Sequence, residues 1–123
     1  MSVVIAGSCH CGAVSWEYHG RPDHLNSCNC SICRRYGGLW AYGTTETIRI
    51  HAAPGATVPY VRGDSTLAFH HCRGCGCVTH WASLAAEDGM RRVAVNMAMA
   101  EPAVVAGFRV RHFDGAETWR YLD

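Results

Sequence analysis

Three cysteines fall within six consecutive positions of the sequence, at Cys28, Cys30 and Cys33. We call these three residues the trio. Thiolates are soft ligands that favour zinc over magnesium or calcium. A structural zinc site takes four protein ligands, whereas a catalytic site takes three and keeps one position open for substrate or water. The trio is therefore a candidate catalytic zinc site with an open coordination position.

Four further cysteines form two pairs, Cys9 with Cys11 and Cys72 with Cys75, which we call the quartet. Two thiolates separated by one or two residues can chelate one ion when the backbone turns sharply between them. The two pairs together would complete a closed structural zinc site that joins the N-terminal strand to the middle of the chain. The eighth cysteine, Cys77, is expected to be a small buried residue in a strand.

The same spacings are consistent with a second grouping of the cysteines. Cys30 and Cys33 with Cys72 and Cys75 would form an ordinary zinc ribbon, which has no open position. The three remaining cysteines of the seven would then be spare reactive thiols. Spacing alone leaves both groupings open.

Two arginines, Arg34 and Arg35, follow the trio directly. Zn²⁺ with three thiolates carries a net charge of about −1 by simple addition, and a substrate thiolate makes it about −2. We expect the two arginines to offset this charge, and we count Arg34 among the candidate catalytic residues. Ligation by three thiolates makes a metal a mild Lewis acid, which suits thiol and carbonyl chemistry better than peptide hydrolysis.

Several apolar side chains near these motifs have two interpretations. Trp40 and Tyr42 follow the trio at alternate positions, so that they either wall a pocket over the open position or pack in the core. Met97 and Met99 continue an alternation of apolar residues and are expected in the core. Trp119 is expected to pack as a staple over the sheet.

The elements that must position these residues are mostly strands. Gly and Pro recur at short intervals between segments rich in Val, Ile, Thr and aromatic residues, which is typical of an all-β domain. Alternating patterns predict strands at Ala13–Tyr18, Thr47–His51, Ser65–Cys72, Val78–Ala82, Arg91–Met97 and Phe108–Phe113.

Short helical turns complete the predicted elements. Ser31 is expected to cap a helix over Ile32–Tyr36 that ends at Gly37, and a second short helical piece is expected at Ser83–Asp88. We therefore predict one domain over residues 1–123, with a small, mostly antiparallel all-β fold, short helical turns and metal sites at the strand ends.

Bulk properties narrow the class of protein further. The 123 residues carry a formal net charge of +1, and the eleven basic residues are scattered arginines. This pattern argues against a nucleic-acid surface, and the absence of lysine excludes a Schiff-base mechanism. No stretch approaches the roughly 18 apolar residues of a membrane span, and we expect no signal peptide because the apolar run near the N-terminus is short. We expect a cytoplasmic protein, whose reduced cysteines bind metal instead of forming four disulfides as a secreted protein would.

Three stretches in order, GSCHCGAVSWEY, CNCSICRRYGG and HHCRGCGC, resemble the family of glutathione-dependent formaldehyde-activating enzymes, which also includes centromere protein V. The similarity runs from about Gly7 to the end of the chain. It implies a β-tent fold with two zinc ions, a structural ion on the quartet and a catalytic ion on the trio. The founding activity joins glutathione and formaldehyde into S-hydroxymethylglutathione. The resemblance thus implies a carbon–sulfur lyase acting on a small thiol, with glutathione as a candidate, and an aldehyde.

The sequence departs from the family pattern in two respects. Asn29 stands where many members have a histidine, which removes one candidate proton donor. The chain is also short compared with the founding enzymes, so the resemblance does not by itself predict a dedicated glutathione pocket. The centromere branch suggests the alternative of a non-enzymatic, zinc-stabilised interaction module. The pattern specifies no oligomeric state.

Overall fold

The computed structural model describes residues 3–63 and 65–123 and consists, over these residues, mainly of ten strands. The elements in chain order are β1 (Val4–Ser8), β2 (Val14–His19), β3 (Leu25–Cys28), α1 (Cys33–Tyr36), β4 (Trp40–Thr44), β5 (Ile48–Ala52), β6 (Thr57–Val61), β7 (Leu67–Cys72), β8 (Val78–Ser83), β9 (Arg92–Asn96), a 3₁₀ turn (Met97–Met99), α2 (Pro102–Val105) and β10 (Val110–Phe113). The predicted all-β fold with short helical turns is confirmed.

The strands form two sheets. The smaller sheet has the order β1-β2-β5, and the larger has the order β10-β3-β4-β9-β8-β7-β6. All pairings are antiparallel except that of β10 with β3, which is parallel. The parallel pairing matters for function, because it brings the C-terminal segment alongside the strand that ends in the first cysteine of the trio.

The main core lies between the two sheets. In β2, Trp16 and Tyr18 are buried while Glu17 between them is half-buried, as the alternating pattern predicts. They pack in one cluster with Val93 and Val95 of β9. Burying side chains of this size stabilises the fold by about 1.5–3 kcal/mol each, so this cluster holds the sheets face to face.

A second apolar cluster covers the opposite face of the larger sheet. Successive residues of a strand point to opposite faces, so Ala41 faces the main core while Trp40 faces away from it. Trp40 packs there with Phe69, Trp81 and Cys33. A cysteine of the trio is therefore part of an aromatic floor on this outer face.

The first helical prediction needs one correction. Helix α1 begins at Cys33 and has Ile32, not Ser31, at its N-cap. The Cys33 N–H donates to the Cys30 sulfur at 3.4 Å, and the Arg34 N–H donates to the Cys30 carbonyl oxygen at 3.1 Å. A Ser31 cap would bind these same two N–H groups. The predicted end at Gly37 is confirmed, since Gly37 adopts the left-handed conformation with φ 64°.

The predicted helical piece at Ser83–Asp88 is wrong. Ser83 ends β8, and Glu87 forms a two-way backbone bridge with Met90. Asp88 and Gly89 between them have φ of 52° and 78°. Left-handed residues in succession cannot continue a right-handed helix, so the segment is a tight turn.

Three single-residue expectations also change. Trp119 is 72% exposed and is therefore not a staple over the sheet, although its ring meets the edge of Phe113. Cys77 is half-buried and precedes β8 instead of lying within a strand. Met97 is buried in the main core as expected, but it lies in the 3₁₀ turn after β9.

No helix within residues 3–63 or 65–123 is long and apolar enough to cross a membrane.

Candidate functional site

The quartet comes together from two distant parts of the chain. Its four sulfurs lie within 4.8 Å of one another. The Sγ atoms of Cys9 and Cys11 are 3.7 Å apart, and those of Cys11 and Cys72 are 3.6 Å apart. Sulfurs bound tetrahedrally to zinc at about 2.3 Å would be about 3.8 Å apart. The spacing therefore fits a closed, four-coordinate metal site.

Two tight turns aim these sulfurs inward. The Cys9 carbonyl oxygen accepts the Gly12 N–H, and the Cys72 carbonyl oxygen accepts the Gly76 N–H. Both glycines have positive φ, 84° and 81°, a conformation that glycine adopts without strain. The Val14 N–H donates to the Cys9 sulfur at 3.3 Å. Each turn thus holds a chelating pair and directs peptide donors at its sulfurs.

The peptide groups also shift the protonation of the quartet. The backbone N–H groups of Cys77 and Cys11 lower the pKa of Cys75 to about 5. The Ala13 N–H lowers the pKa of Cys11, but hydrogen bonds with Cys72 and the other thiols outweigh it and raise that pKa to about 11. Neighbouring thiolates repel one another, so full ionisation of the four requires a cation among them.

The trio is a second, separate group of sulfurs. Cys28 ends β3, Cys33 opens α1, and all three sulfurs lie within 4.8 Å of one another. The Cys30 N–H is 3.5 Å from the Cys28 sulfur, and the Cys33 N–H is 3.4 Å from the Cys30 sulfur. Burial raises the pKa of Cys30, but these peptide and thiol contacts outweigh burial and lower it. The structure thus groups the cysteines as four and three, and it does not bring Cys30 and Cys33 to the later pair as a ribbon would.

A buried indole supports a thiolate within the trio. The Trp40 N–H is buried and meets no nitrogen or oxygen acceptor among the described residues. It contacts the Cys33 sulfur instead, where burial and the neighbouring thiols raise the thiol pKa well above its ordinary value and the indole contact offsets only part of that rise. A buried donor is costly to leave without a partner. A metal-bound thiolate at Cys33 would give this donor an anionic acceptor, so the donor set fits a thiophilic metal such as zinc.

The C-terminal loop covers one side of the trio, which the sequence pattern did not predict. The Asn29 side chain donates to Asp114 Oδ1 at 3.0 Å and accepts the Ala116 N–H at 3.0 Å. These bonds place Gly115 so that a Cβ atom there would lie 2.6 Å from the Cys28 sulfur. Asn29 therefore ties the loop to the trio.

A cleft of about 1230 Å³ opens beside the trio. Aromatic side chains form much of its lining, namely those of Trp40, Tyr42, Phe69, Trp81, Phe113, Trp119 and Tyr121. Trp40 is buried and Tyr42 is 41% exposed, so the first belongs to both core and cleft while the second mainly faces the cleft. All three cysteines of the trio line this cleft, but no cysteine of the quartet does.

The two arginines after the trio lie elsewhere. Arg34 is exposed and lines a smaller recess of about 300 Å³ that also contacts Cys28 and Cys33. The Arg35 guanidinium donates to the Ser31 carbonyl oxygen at 2.7 Å. Neither arginine lines the large cleft, so any offset of charge by Arg34 would act from the smaller recess.

Tyr42 and Asn26 form a pair in the cleft that the sequence pattern also missed. The Asn26 amide N–H₂ donates to the Tyr42 hydroxyl oxygen in a short hydrogen bond. Burial raises the pKa of Tyr42 well above its ordinary value, although the Asn26 bond lowers it somewhat. The hydroxyl therefore keeps its proton at neutral pH. Because its oxygen accepts from Asn26, its O–H is available to donate into the cleft.

Fold and site together define an all-β protein with two cysteine groups able to hold metal, one closed and one facing a cleft. The family model for glutathione-dependent formaldehyde-activating enzymes matches residues 4–108, and the chain belongs to this family.

One relative carries the name of this family, and one solved structure has a similar fold. A Halomonas elongata protein that carries the same family name is 32% identical over 82 residues, which is 59% of this chain and 52% of the relative. The chain thus spans about half the length of this curated relative. The crystal structure of a Rhodobacter sphaeroides protein is similar with a TM-score of 0.65 and 28% identity, and the match covers 86% of this chain and 99% of the other.

Proposed function

We propose that this protein is a zinc-dependent carbon–sulfur lyase that forms and cleaves the adduct of a small thiol with an aldehyde. Glutathione and formaldehyde are the pair that the family name supplies. The observation that carries the proposal is the difference between the two cysteine groups. The quartet is complete and away from the cleft, whereas the trio offers three sulfurs and faces it.

The protein's own residues would divide the work as follows. The quartet would hold a structural zinc ion, and Cys28, Cys30 and Cys33 would hold a catalytic one. When bound there, zinc supplies a soft Lewis acid that lowers the pKa of a thiol. The aromatic lining would exclude water and hold thiol and aldehyde in contact, which makes their reaction effectively intramolecular.

The reaction balances without an oxidant or a reductant. In the forward direction the thiolate sulfur attacks the aldehyde carbon, so that a carbon–sulfur bond forms and the carbonyl double bond becomes single. The oxygen then needs one proton, and the thiol has lost one. Tyr42 would donate that proton from its hydroxyl, supported by Asn26, and the proton released by the thiol would return to Tyr42 through solvent. In reverse, the Tyr42 phenolate would take the proton from the hydroxyl group of the adduct as the carbon–sulfur bond breaks, and solvent would return a proton to the thiolate.

Arg34, which lines the smaller recess, would offset negative charge at the trio. We also place the protein in the cytoplasm, where reducing conditions keep thiols available for metal.

Addition of thiols to formaldehyde also occurs without an enzyme, so the test must measure an acceleration over that background. Exchange spectroscopy by NMR measures how fast the free thiol and the adduct interconvert. The protein is loaded with zinc, and metal content is measured before glutathione and formaldehyde are added. We expect faster exchange between free and adduct signals than in buffer, and loss of the acceleration in Cys30→Ser. Buffer-level exchange at full metal occupancy, with glutathione and with other small thiols, would refute the lyase and favour the interaction module.

A further inference from the structure

We infer that Arg92 forms a subsite in the cleft that binds a carboxylate of the thiol substrate. The inference rests on the proposed function for the position of the sulfur, which would be at the trio. The location of Arg92, its freedom from protein partners and the charges of the cleft support it.

The register of the larger sheet sets the distance between the two ends of the cleft. Asn96 at one end of β9 pairs with Trp40, which contacts Cys33. Arg92 begins the same strand, four residues earlier. At about 3.4 Å per residue, Arg92 starts roughly 14 Å along the sheet from the trio end. The side chain reaches back from there over the cleft floor.

Arg92 lies on the same face as the aromatic floor. Residues two apart on a strand share a face, so Arg92 shares a face with Ala94, which packs with Trp40 and Trp81. The guanidinium carbon is 5.5 Å from the centre of the Trp81 ring, within cation–π range. The backbone N–H of Arg92 donates to Ser83 Oγ at 3.1 Å. Backbone and ring thus hold the side chain over the floor.

The N–H donors of the Arg92 guanidinium are free to bind a ligand. Among the described residues, it makes no hydrogen bond or ion pair, and its contact is with the Trp81 ring. A guanidinium is a planar fork of five N–H donors that matches a carboxylate with two parallel bonds. An arginine fixed by stacking and free to donate is therefore suited to receive a carboxylate from a ligand.

The charges of the cleft would orient such a ligand. Arg62 and Arg92 line it with one acid, Glu87, in the part of the chain that the structure describes. Three thiolates around a divalent ion leave the trio end with about one negative charge. A carboxylate would avoid that end and favour the arginine end, which leaves the sulfur of the same molecule beside the trio.

Ligand binding to the zinc-loaded full chain tests the subsite without turnover. Isothermal titration calorimetry compares S-methylglutathione with its dimethyl ester, and 3-(methylthio)propanoate with its methyl ester. Arg92→Gln keeps an apolar stem over Trp81 but removes the charge. Arg49→Gln is the matched control, because Arg49 is exposed on β5 of the smaller sheet and does not line the cleft.

We expect the wild type to bind at least one acid about tenfold more tightly than its ester, a difference of about 1.4 kcal/mol. Arg92→Gln should lose this preference, Arg49→Gln should keep it, and Arg92→Lys should show a smaller preference. A preference for S-methylglutathione alone indicates a tripeptide, and a preference in both pairs indicates simple mercapto acids.

Equal binding of acid and ester by the wild type, or no binding of either acid, would overturn the subsite. A full preference retained in Arg92→Gln would overturn the role of Arg92. If Arg92→Gln does not fold, Arg92→Lys decides, since an unchanged preference there would contradict a bidentate contact. Carboxylate-dependent binding without any acceleration of adduct exchange would refute the lyase and leave the subsite standing.

Discussion

Gly115 lies against Cys28 so closely that a methyl group in its place would come within 2.6 Å of the cysteine sulfur. The two residues are far apart in sequence, but β10 pairs in parallel with β3 and Asn29 ties the following loop to the trio. The close approach means that the C-terminal loop forms one wall of the proposed catalytic site.

Replacing Gly115 by alanine should disturb the trio and leave the quartet intact. The added methyl group would clash with the Cys28 sulfur, and overpacking of this kind costs about 1–3 kcal/mol. We expect the variant to retain about one of two zinc equivalents and to lose most adduct exchange. Metal analysis and NMR exchange check this, with Ala103→Ser on α2 as the control, because Ala103 is exposed and does not line the cleft. Full occupancy and full activity in Gly115→Ala would contradict the proposed contact.

Substitutions in the quartet should mainly lower stability, and substitutions in the trio should mainly lower activity. Cys72→Ser removes a ligand of the closed site, so we expect a destabilisation of about 3 kcal/mol and a fall in Tm of roughly 10 °C. Cys30→Ser removes a ligand of the open site. We therefore expect the variant to lose the acceleration of adduct exchange but to keep a Tm within a few degrees of wild type. Thermal unfolding and exchange are measured on both variants. Equal loss of stability in both would show that the trio is also structural.

Tyr42→Phe should slow the chemical step without weakening substrate binding. The variant keeps the ring in the cleft and removes the hydroxyl that Asn26 supports. Proton transfer by a positioned side chain contributes about 10²–10⁴-fold to rates, so we expect kcat to fall about 100-fold at unchanged KM. Tyr60→Phe is the control, because Tyr60 is exposed on β6 and does not line the cleft. Wild-type kcat in Tyr42→Phe would remove this tyrosine from the mechanism.

His80 should make the fold less stable in acid. Its side chain is 5% exposed and stacks on His70 with ring centres 4.6 Å apart. Burial, and then the charge of His70, lower the pKa of His80 to about 3.

The sign of the effect follows from linkage. The unfolded histidine takes up its proton near pH 6.5, before the folded one does, so stability is full above pH 6.5 and falls as the pH drops toward 3. The loss from this one residue should reach about 2 kcal/mol at pH 5. Chemical denaturation of wild type and His80→Gln between pH 5 and 7.5 measures it. The same pH dependence in both proteins would show that other groups, including metal ligands, cause the acid sensitivity.

The strands that the pattern predicted are those with a clear alternation, such as β2, where Trp16 and Tyr18 face the core. The pattern missed β1, β3 and β6, and it indicated β4 only through the alternation of Trp40 and Tyr42. β3 has four residues and ends in a cysteine of the trio, so its composition resembles a metal loop. β6 contains Pro59, which is tolerated because β6 is the edge strand of its sheet. Short or atypical strands are stabilised by their neighbours in the sheet, which local sequence does not contain.

The sequence by itself determined the trio, because cysteines within six positions are held near one another by the short chain between them. It also determined the mostly antiparallel all-β class through the alternation of side chains. Only the tertiary structure decided which cysteines join across 61 positions in the quartet, and which residues meet the trio. Gly115, Tyr42 and Arg92 reach the cleft because of the order and register of the strands. Those depend on long-range pairing and burial, which no local spacing specifies.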